Sequence, residues 1–157
     1  MELRDLKNTE IDCLARTAKV IWHQVFSYMI SDNQIEYMTD KFLSSEAIKE
    51  NIKNGYKYRV LIDNDEIIGF TASVKEESRI FLSKLYLKEE YHNQGLGKKM
   101  IEDVKNLYDL DVMYLTVNKN SKIIPIYKHL GFKEIDAVVI DIGNGYVMND
   151  YILAKTY

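Results

Sequence analysis

The chain has 157 residues, 46% of them apolar, which is enough for one compact core. Its 24 acidic and 21 basic side chains leave a formal net charge of -3, so no global positive field exists to attract nucleic acid or an anionic membrane. A lone Cys13, no run near the roughly 18 unbroken apolar residues of a membrane span, and a start without a signal-peptide core lead us to expect a reducing, cytoplasmic setting.

In chain order, a short strand opens the molecule. Thr9, with Asp12 three residues on, reads as an N-cap; Ile11, Leu14, Ala18, Ile21, Val25 and Met29 then recur at helical spacing, which predicts a first helix over 10–29. Ser31 and Gln34 form a capping-box pattern before Ile35, Met38 and Phe42. Ser45 is placed to cap a third helix through Ile48 and Ile52, stopped by Gly55. The texture then changes. YKYRVLI, EIIGFTASV and RIFLSKLYL are β-rich, and the turn-like DND and KEES between them predict three consecutive antiparallel strands. A helix is expected over 97–108, then the strand VMYLTV, then a short helix around PIYKHL closed by Gly131, with proline in the first turn and glycine just past the end. The tail carries two strand patterns around GNG, a strong hairpin signal. One proline and seven glycines leave no flexible linker, and a single domain over 1–157 is expected. The order predicts an α/β (α+β) fold: a mixed, mostly antiparallel sheet of six or seven strands flanked by helices, not a repeating βαβ array.

The segment LYLKEEYHNQGLGKKM places two glycines between a strand and a helix. A dinucleotide-binding fingerprint would need a third glycine where Met100 stands and an acidic residue about 20 positions on, whereas the next strand ends in Val117 and Asn118. A Walker A loop would need glycine at His92 and Ser or Thr after Lys98. What survives is a strand opening into a turn of backbone N–H groups at a helix N-terminus, where Gly95 and Gly97 allow close approach of an anion such as a pyrophosphate. On the residues alone, a plain strand-to-helix turn explains an isolated G-x-G equally well.

This segment resembles motif A of the GNAT superfamily of acetyl-CoA-dependent N-acyltransferases, Q/R-x-x-G-x-G/A after an LYV-like strand. Here it reads His92-Asn93-Gln94-Gly95-Leu96-Gly97 after Leu85-Tyr86-Leu87. Downstream, YLTVNKNSKIIPIYKHLGF is similar to the family's strand-then-helix segment ending in Tyr-x-x-x-Gly-Phe, with Asn120 seven residues before Tyr127. The element order agrees, so the likeness covers nearly the whole chain, with a weaker likeness to polyamine acetyltransferases in the opening helices. Two positions depart from the pattern. His92 replaces the usual Gln or Arg, and Pro125 stands where most relatives continue a helix and should shorten it.

The resemblance implies the fold of the GNAT acyltransferases and acetyl-CoA as cosubstrate, without a metal. It implies that the backbone of Leu85, Tyr86 and Leu87 pairs with the pantetheine arm where the fourth and fifth strands splay. N–H groups from Asn93 to Lys98 would hold the pyrophosphate, so the expected cofactor residues are Leu85, Tyr86, Leu87, His92, Asn93, Gln94, Gly95, Leu96, Gly97, Lys98, Asn120 and Tyr127. A backbone N–H near Leu85 would face the oxyanion. Tyr127 is the implied general acid for the departing thiolate; by periodicity alone it is a core aromatic. No base is marked, because Ser83 stands where some relatives carry Glu, and a water relay is the expectation. His129, near the end of the short helix, answers the helix dipole.

The first helices and the last hairpin would frame the acceptor. Trp22, His23, Tyr28 and Glu36 are the expected acceptor residues, with Tyr37, Tyr146, Tyr151, Asp32 and Asp150 nearby. Aromatic faces with carboxylates suit a cationic amine, though an ordinary solvated face has the same composition. The expected activity is acetyl transfer to a primary amine by direct attack in a ternary complex. A small polyamine is the first choice of acceptor, a protein or peptide amino group the second, and a non-catalytic acetyl-CoA-binding module the alternative. The expected partner is a small-molecule amine, with no nucleic acid and no membrane; a homodimer is left open.

Overall fold

The structure, a computed structural model, describes residues 1–157. The chain runs β1 (Glu2–Asp5), α1 (Ile11–Phe26), α2 (Asp32–Phe42), α3 (Ser45–Lys53), β2 (Lys57–Asp63), β3 (Glu66–Glu76), β4 (Arg79–Leu87), α4 (Leu96–Lys105), β5 (Val112–Asn118), α5 (Ile124–His129), β6 (Lys133–Gly143) and β7 (Tyr146–Thr156). All predicted elements are present, and they form one seven-stranded sheet in the order β1-β2-β3-β4-β5-β7-β6. The mixed, mostly antiparallel sheet is therefore as expected: every neighbouring pair is antiparallel except β4 and β5.

Several helix boundaries differ from the sequence expectation for identifiable reasons. Thr9 does not cap the first helix. It lies inside a 3-10 turn, Asn8–Glu10, whose Glu10 carboxylate accepts from the Lys7 N–H at 2.9 Å and from both Arg4 terminal nitrogens at 2.8 Å. α1 ends at Phe26, short of Met29, whose N–H bonds the Phe26 carbonyl in a turn that leads into the Ser31 cap. Ser31 caps α2 as expected, accepting from the Gln34 N–H at 3.1 Å. For α3 the cap is Ser44, accepting from the Ala47 N–H at 3.1 Å, whereas Ser45 donates to Asp12 at 2.6 Å and ties α3 to α1. α4 stops at Lys105, three residues early, where the chain turns so that the Tyr108 hydroxyl meets Ser73 at 3.0 Å. Pro125 sits in the first turn of α5, which is only six residues long.

Two cores form on opposite faces of the sheet. On one face, Leu14, Ala18, Ile21 and Trp22 of α1, Ile35 and Met38 of α2 and Ile48 of α3 pack on Val60, Phe70 and Ala72. On the other face, Ile101 and Val104 of α4 and Tyr127 of α5 pack with Ile80, Leu82, Met113, Leu115 and Leu153. Arg59 of β2 clamps α4 to the sheet through Asp103 at 2.7 Å and also reaches Asp5 at 2.9 Å. The β6–β7 hairpin docks on α2, because the Tyr37 hydroxyl and the Lys41 ammonium both donate to the Ile142 carbonyl. That docking requires glycine at 143: its φ is +90°, and a Cβ there would stand 2.7 Å from the Tyr37 hydroxyl.

β4 and β5 share only two register pairs, Ile80↔Met113 and Phe81↔Tyr114, before they diverge. The divergence has a local cause. Between β3 and β4 the register shifts at Ala72/Ser73, leaving Ser83 as an extra, unpaired residue, and such a bulge bends a strand and increases its twist. From there on, the edges of β4 and β5 that face each other are open.

Candidate active site

The open edge of β4 carries Leu85, Tyr86 and Leu87, whose opposite edges pair with Thr71, Phe70 and Gly69 of β3. A half-open strand in the middle of a sheet is a set of backbone donors and acceptors awaiting a partner. Leu85 and Leu87 turn toward the α4 face, while the Tyr86 ring turns to the other.

Beyond β4 the chain makes a 3-10 turn, Glu89–Tyr91, and enters α4 through two left-handed residues, Asn93 (φ 63°) and Gly95 (φ 74°). The His92 imidazole folds back on the Leu87 carbonyl at 2.8 Å, so here it holds the loop against its parent strand. Gln94 reaches only the Glu90 carbonyl, at 3.4 Å. Gly95 is the N-cap of α4 with no side chain to occupy the first N–H groups, and no atom lies within 4 Å of where a Cβ would stand at Gly95 or Gly97. Leu96 is buried and anchors the turn, while Lys98 is exposed. The result is a set of unclaimed N–H groups at the positive end of a helix with bare space before it, which fits a pyrophosphate.

Tyr127 is held by α5 with 7% of its surface exposed, its ring 5.7 Å from Phe132. Burial alone pushes its phenol well above the usual tyrosine range, and no protein group bonds the hydroxyl. The phenol therefore keeps its proton at neutral pH, as a donor must. The ring packs in the core, as periodicity predicts, and the hydroxyl is left without a protein partner. Asn120 stands apart, exposed in the β5–α5 turn, its N–H donating to the Asn118 side-chain oxygen at 2.8 Å.

On the other face, Trp22 and Phe26 of α1 pack against Tyr86, with ring centroids 5.5 and 6.0 Å away. The buried Trp22 indole N–H points at the Tyr86 hydroxyl, near but outside good hydrogen-bond geometry. Tyr86 is held far above its usual range, first by burial and then by the nearby Tyr127 and Asp150. Tyr28 is exposed, but its hydroxyl accepts from the Lys122 N–H at 2.9 Å and the Lys122 ammonium lies 4.3 Å from its ring centre, so it straps the α1–α2 turn to the β5–α5 loop. The structure does not bring His23 and Glu36 into this group. They bond each other at 3.0 Å across α1 and α2, and Glu36 also pairs with Lys19 at 2.6 Å, which with His23 holds its carboxyl below the usual range. Both serve an ion-pair network on the helix surface.

Two further polar groups lie on this side of the sheet: Lys84, which carried no sequence signal, and Asp150, expected only in the neighbourhood of the acceptor residues. Lys84, which shares a sheet face with Tyr86 by strand alternation, has only the Ser83 hydroxyl at 3.3 Å for company, and burial pushes its ammonium down to about 8. Asp150 of β7 is 4% exposed, and burial raises its carboxyl. No helix in the chain is long and apolar enough to cross a membrane.

With that geometry in place, comparison with known proteins gives a consistent result. The chain is 27% identical over 117 residues, covering 66% of this chain and 76% of that protein, to the spermine/spermidine N(1)-acetyltransferase of Bacillus subtilis (strain 168). It is 22% identical to the spermidine N(1)-acetyltransferase of Thermoplasma acidophilum, covering 100% of this chain and 98% of that one. Among solved structures, the PaiA N-acetyltransferase of T. acidophilum in complex with coenzyme A superposes with a TM-score of 0.86 at 22% identity, covering 99% of this chain and 98% of that chain. A GCN5-related N-acetyltransferase from Rhodopseudomonas palustris superposes with a TM-score of 0.83 at 14% identity, over 99% of this chain and 95% of that chain. The family model described as the acetyltransferase (GNAT) domain matches residues 27–149, more than half of the sequence, and the chain belongs to the GNAT family of N-acetyltransferases.

Proposed function

We propose that the protein moves an acetyl group from acetyl-CoA to a primary amine of a small polyamine, by direct attack while both substrates are bound. The observation that carries this reading is the meeting of three features at one gap in the sheet: the open β4 edge, the bare N-terminus of α4 and the unpartnered Tyr127 hydroxyl. Backbone groups of Leu85 and Leu87 would take the amide-bearing pantetheine arm, and N–H groups from Asn93 to Lys98 the pyrophosphate. Acetyl-CoA supplies an activated acyl carbon and a thiolate leaving group. Tyr127 delivers a proton to that sulfur.

The other side of the gap supports a polyamine acceptor. Tyr86, Trp22 and Phe26 present aromatic surface there and Asp150 presents a carboxylate, a setting that favours a cationic amine. The relatives named for spermine and spermidine support the same class.

Thiol release from acetyl-CoA over a panel of spermidine, spermine, putrescine and N-terminal peptides tests the reading. Turnover should be fastest with a polyamine. Faster turnover with a peptide would assign a protein amino group instead, and CoA binding with no acceptor above hydrolysis would leave an acetyl-CoA-binding module.

A further inference from the structure

Asp150 stands out among the carboxylates of this chain. It is 4% exposed, pairs with no cation and accepts no hydrogen bond, and its carboxyl is raised by burial alone. Burial disfavours its charged form, while its oxygens remain in reach of solvent. Its neighbours on β7 show which way it faces. Tyr146 and Met148, alternating with it, pack on the core under α1 and α2, whereas Tyr151 and Leu153 pack on the core under α4 and α5. Asp150 therefore lies on the α1–α2 face, on the same side as Tyr86.

Register places it along the chain as well. Asp150 pairs with Asn118, the last residue of β5, well past the Phe81↔Tyr114 pair where β4 and β5 part. The gap separates Asp150 on one bank from Tyr86 on the other. Tyr127 approaches the same gap from the opposite face, and the Tyr86 phenol senses both residues. A carboxylate without a partner, an aromatic wall and a protonated phenol thus converge on one opening.

We infer that Asp150 is the catalytic carboxylate that receives the reacting ammonium of the acceptor and takes its first proton. This rests on the amine acetyltransferase reading above. In the step, one N–H bond of the ammonium breaks and its proton passes to an Asp150 oxygen. The freed lone pair forms the N–C bond to the acetyl carbon, the C–S bond breaks, and its electron pair leaves on sulfur, which takes the Tyr127 proton. The second nitrogen proton returns to the Tyr127 oxygen, and Asp150 releases its own to solvent, so one proton leaves per turnover. The titratable group that senses Asp150 is Tyr86 of β4; its strand partners Asn118 and Val138 carry no charge, and His23 on α1 is engaged by Glu36.

Asp150→Asn keeps the shape and removes the charge. We expect kcat/KM for spermidine to fall by about 100-fold or more, with CoA affinity by calorimetry unchanged and the thermal midpoint equal or higher. The acid limb of the wild-type pH profile, lying above the ordinary carboxylate range, should vanish in the variant. Asp150→Ser serves as the second variant if the amide disturbs folding, and the same losses are expected of it. Wild-type kcat/KM in both variants, or an unchanged acid limb, overturns the assignment while the amine acetyltransferase reading stands. A wild-type enzyme that binds CoA and acetylates no amine overturns both.

Discussion

At the scale of single residues, Tyr127 and Lys84 show two different consequences of burial. Burial keeps the Tyr127 phenol protonated, so Tyr127→Phe should leave the ring against Phe132 and delete one donor. General-acid loss typically costs about 10²- to 10⁴-fold in rate. A thiol leaving group of pKa near 8 to 9, by analogy with cysteine, leaves partly unaided, so the loss in kcat should fall at the low end with CoA affinity and Tm unchanged. Wild-type kcat in the Phe variant would reduce Tyr127 to packing. Lys84 opposes stability: the folded state holds its ammonium at about 8 against the ordinary lysine value of 10.5. Below pH 8 both folded and unfolded chains carry the proton, and the folded one bears the full desolvation cost. Between 8 and 10.5 the unfolded chain binds more protons, so stability rises with pH across that window. Lys84→Met should therefore stabilise the protein by roughly 2 kcal/mol near neutrality, about 2–4 °C of Tm per kcal/mol, and the gain should fade above pH 10. Thermal melts of both proteins at pH 7 and pH 10 check it, and an equal gain at both values would show that charge burial is not the cause.

At the scale of elements, the loop between β4 and α4 is the feature on which the cofactor reading depends. A Cβ at Gly97 meets nothing within 4 Å, so Gly97→Glu should fold normally, and a carboxylate in the first helical turn even favours the helix. The same charge would stand where the pyrophosphate is expected. CoA affinity should fall by about 100-fold or more, ~2.7 kcal/mol, with Tm of the free protein unchanged; calorimetry giving wild-type affinity would remove the loop from the site. How much of this could be read in advance depended on the kind of signal. Periodicity and turn chemistry located every helix and strand, because apolar spacing is a local property. Ends were less legible. Ser44 and Ser45 are both competent caps, and only the contact between Ser45 and Asp12 decides which of them faces into the helix. The structure holds the expected acceptor residues His23 and Glu36 in a surface network with each other and with Lys19, a pairing across α1 and α2 that neither residue's place in its helix announces. Asp150 was one carboxylate among several in the sequence. Its isolation follows from strand register at the gap, a relation between distant segments.

At the scale of the whole molecule, the sheet is two antiparallel blocks, β1-β2-β3-β4 and β5-β7-β6, joined by only two register pairs. Both cores reach this seam: the one under α1–α3 rests mainly on the first block, and the one under α4 and α5 draws strands from both. A ligand whose amide arm lies along β4 would satisfy backbone groups that otherwise bond water, and it would bridge the blocks where they part. Acetyl-CoA at 100 times its dissociation constant should stabilise the fold by about 2.7 kcal/mol, which for a chain of this length is about 5–10 °C in Tm. The protection should be local as well as global. In hydrogen exchange, amides on the open edges at Ser83–Leu87 and Thr116–Asn118, together with those at Asn93–Lys98, should slow on adding acetyl-CoA. Amides inside the β2–β3 ladder, already paired along 57–63 and 66–73, should change little. A Tm rise with protection spread evenly over both blocks, or confined to α1 and α2, would place the cosubstrate elsewhere than in the gap between β4 and β5.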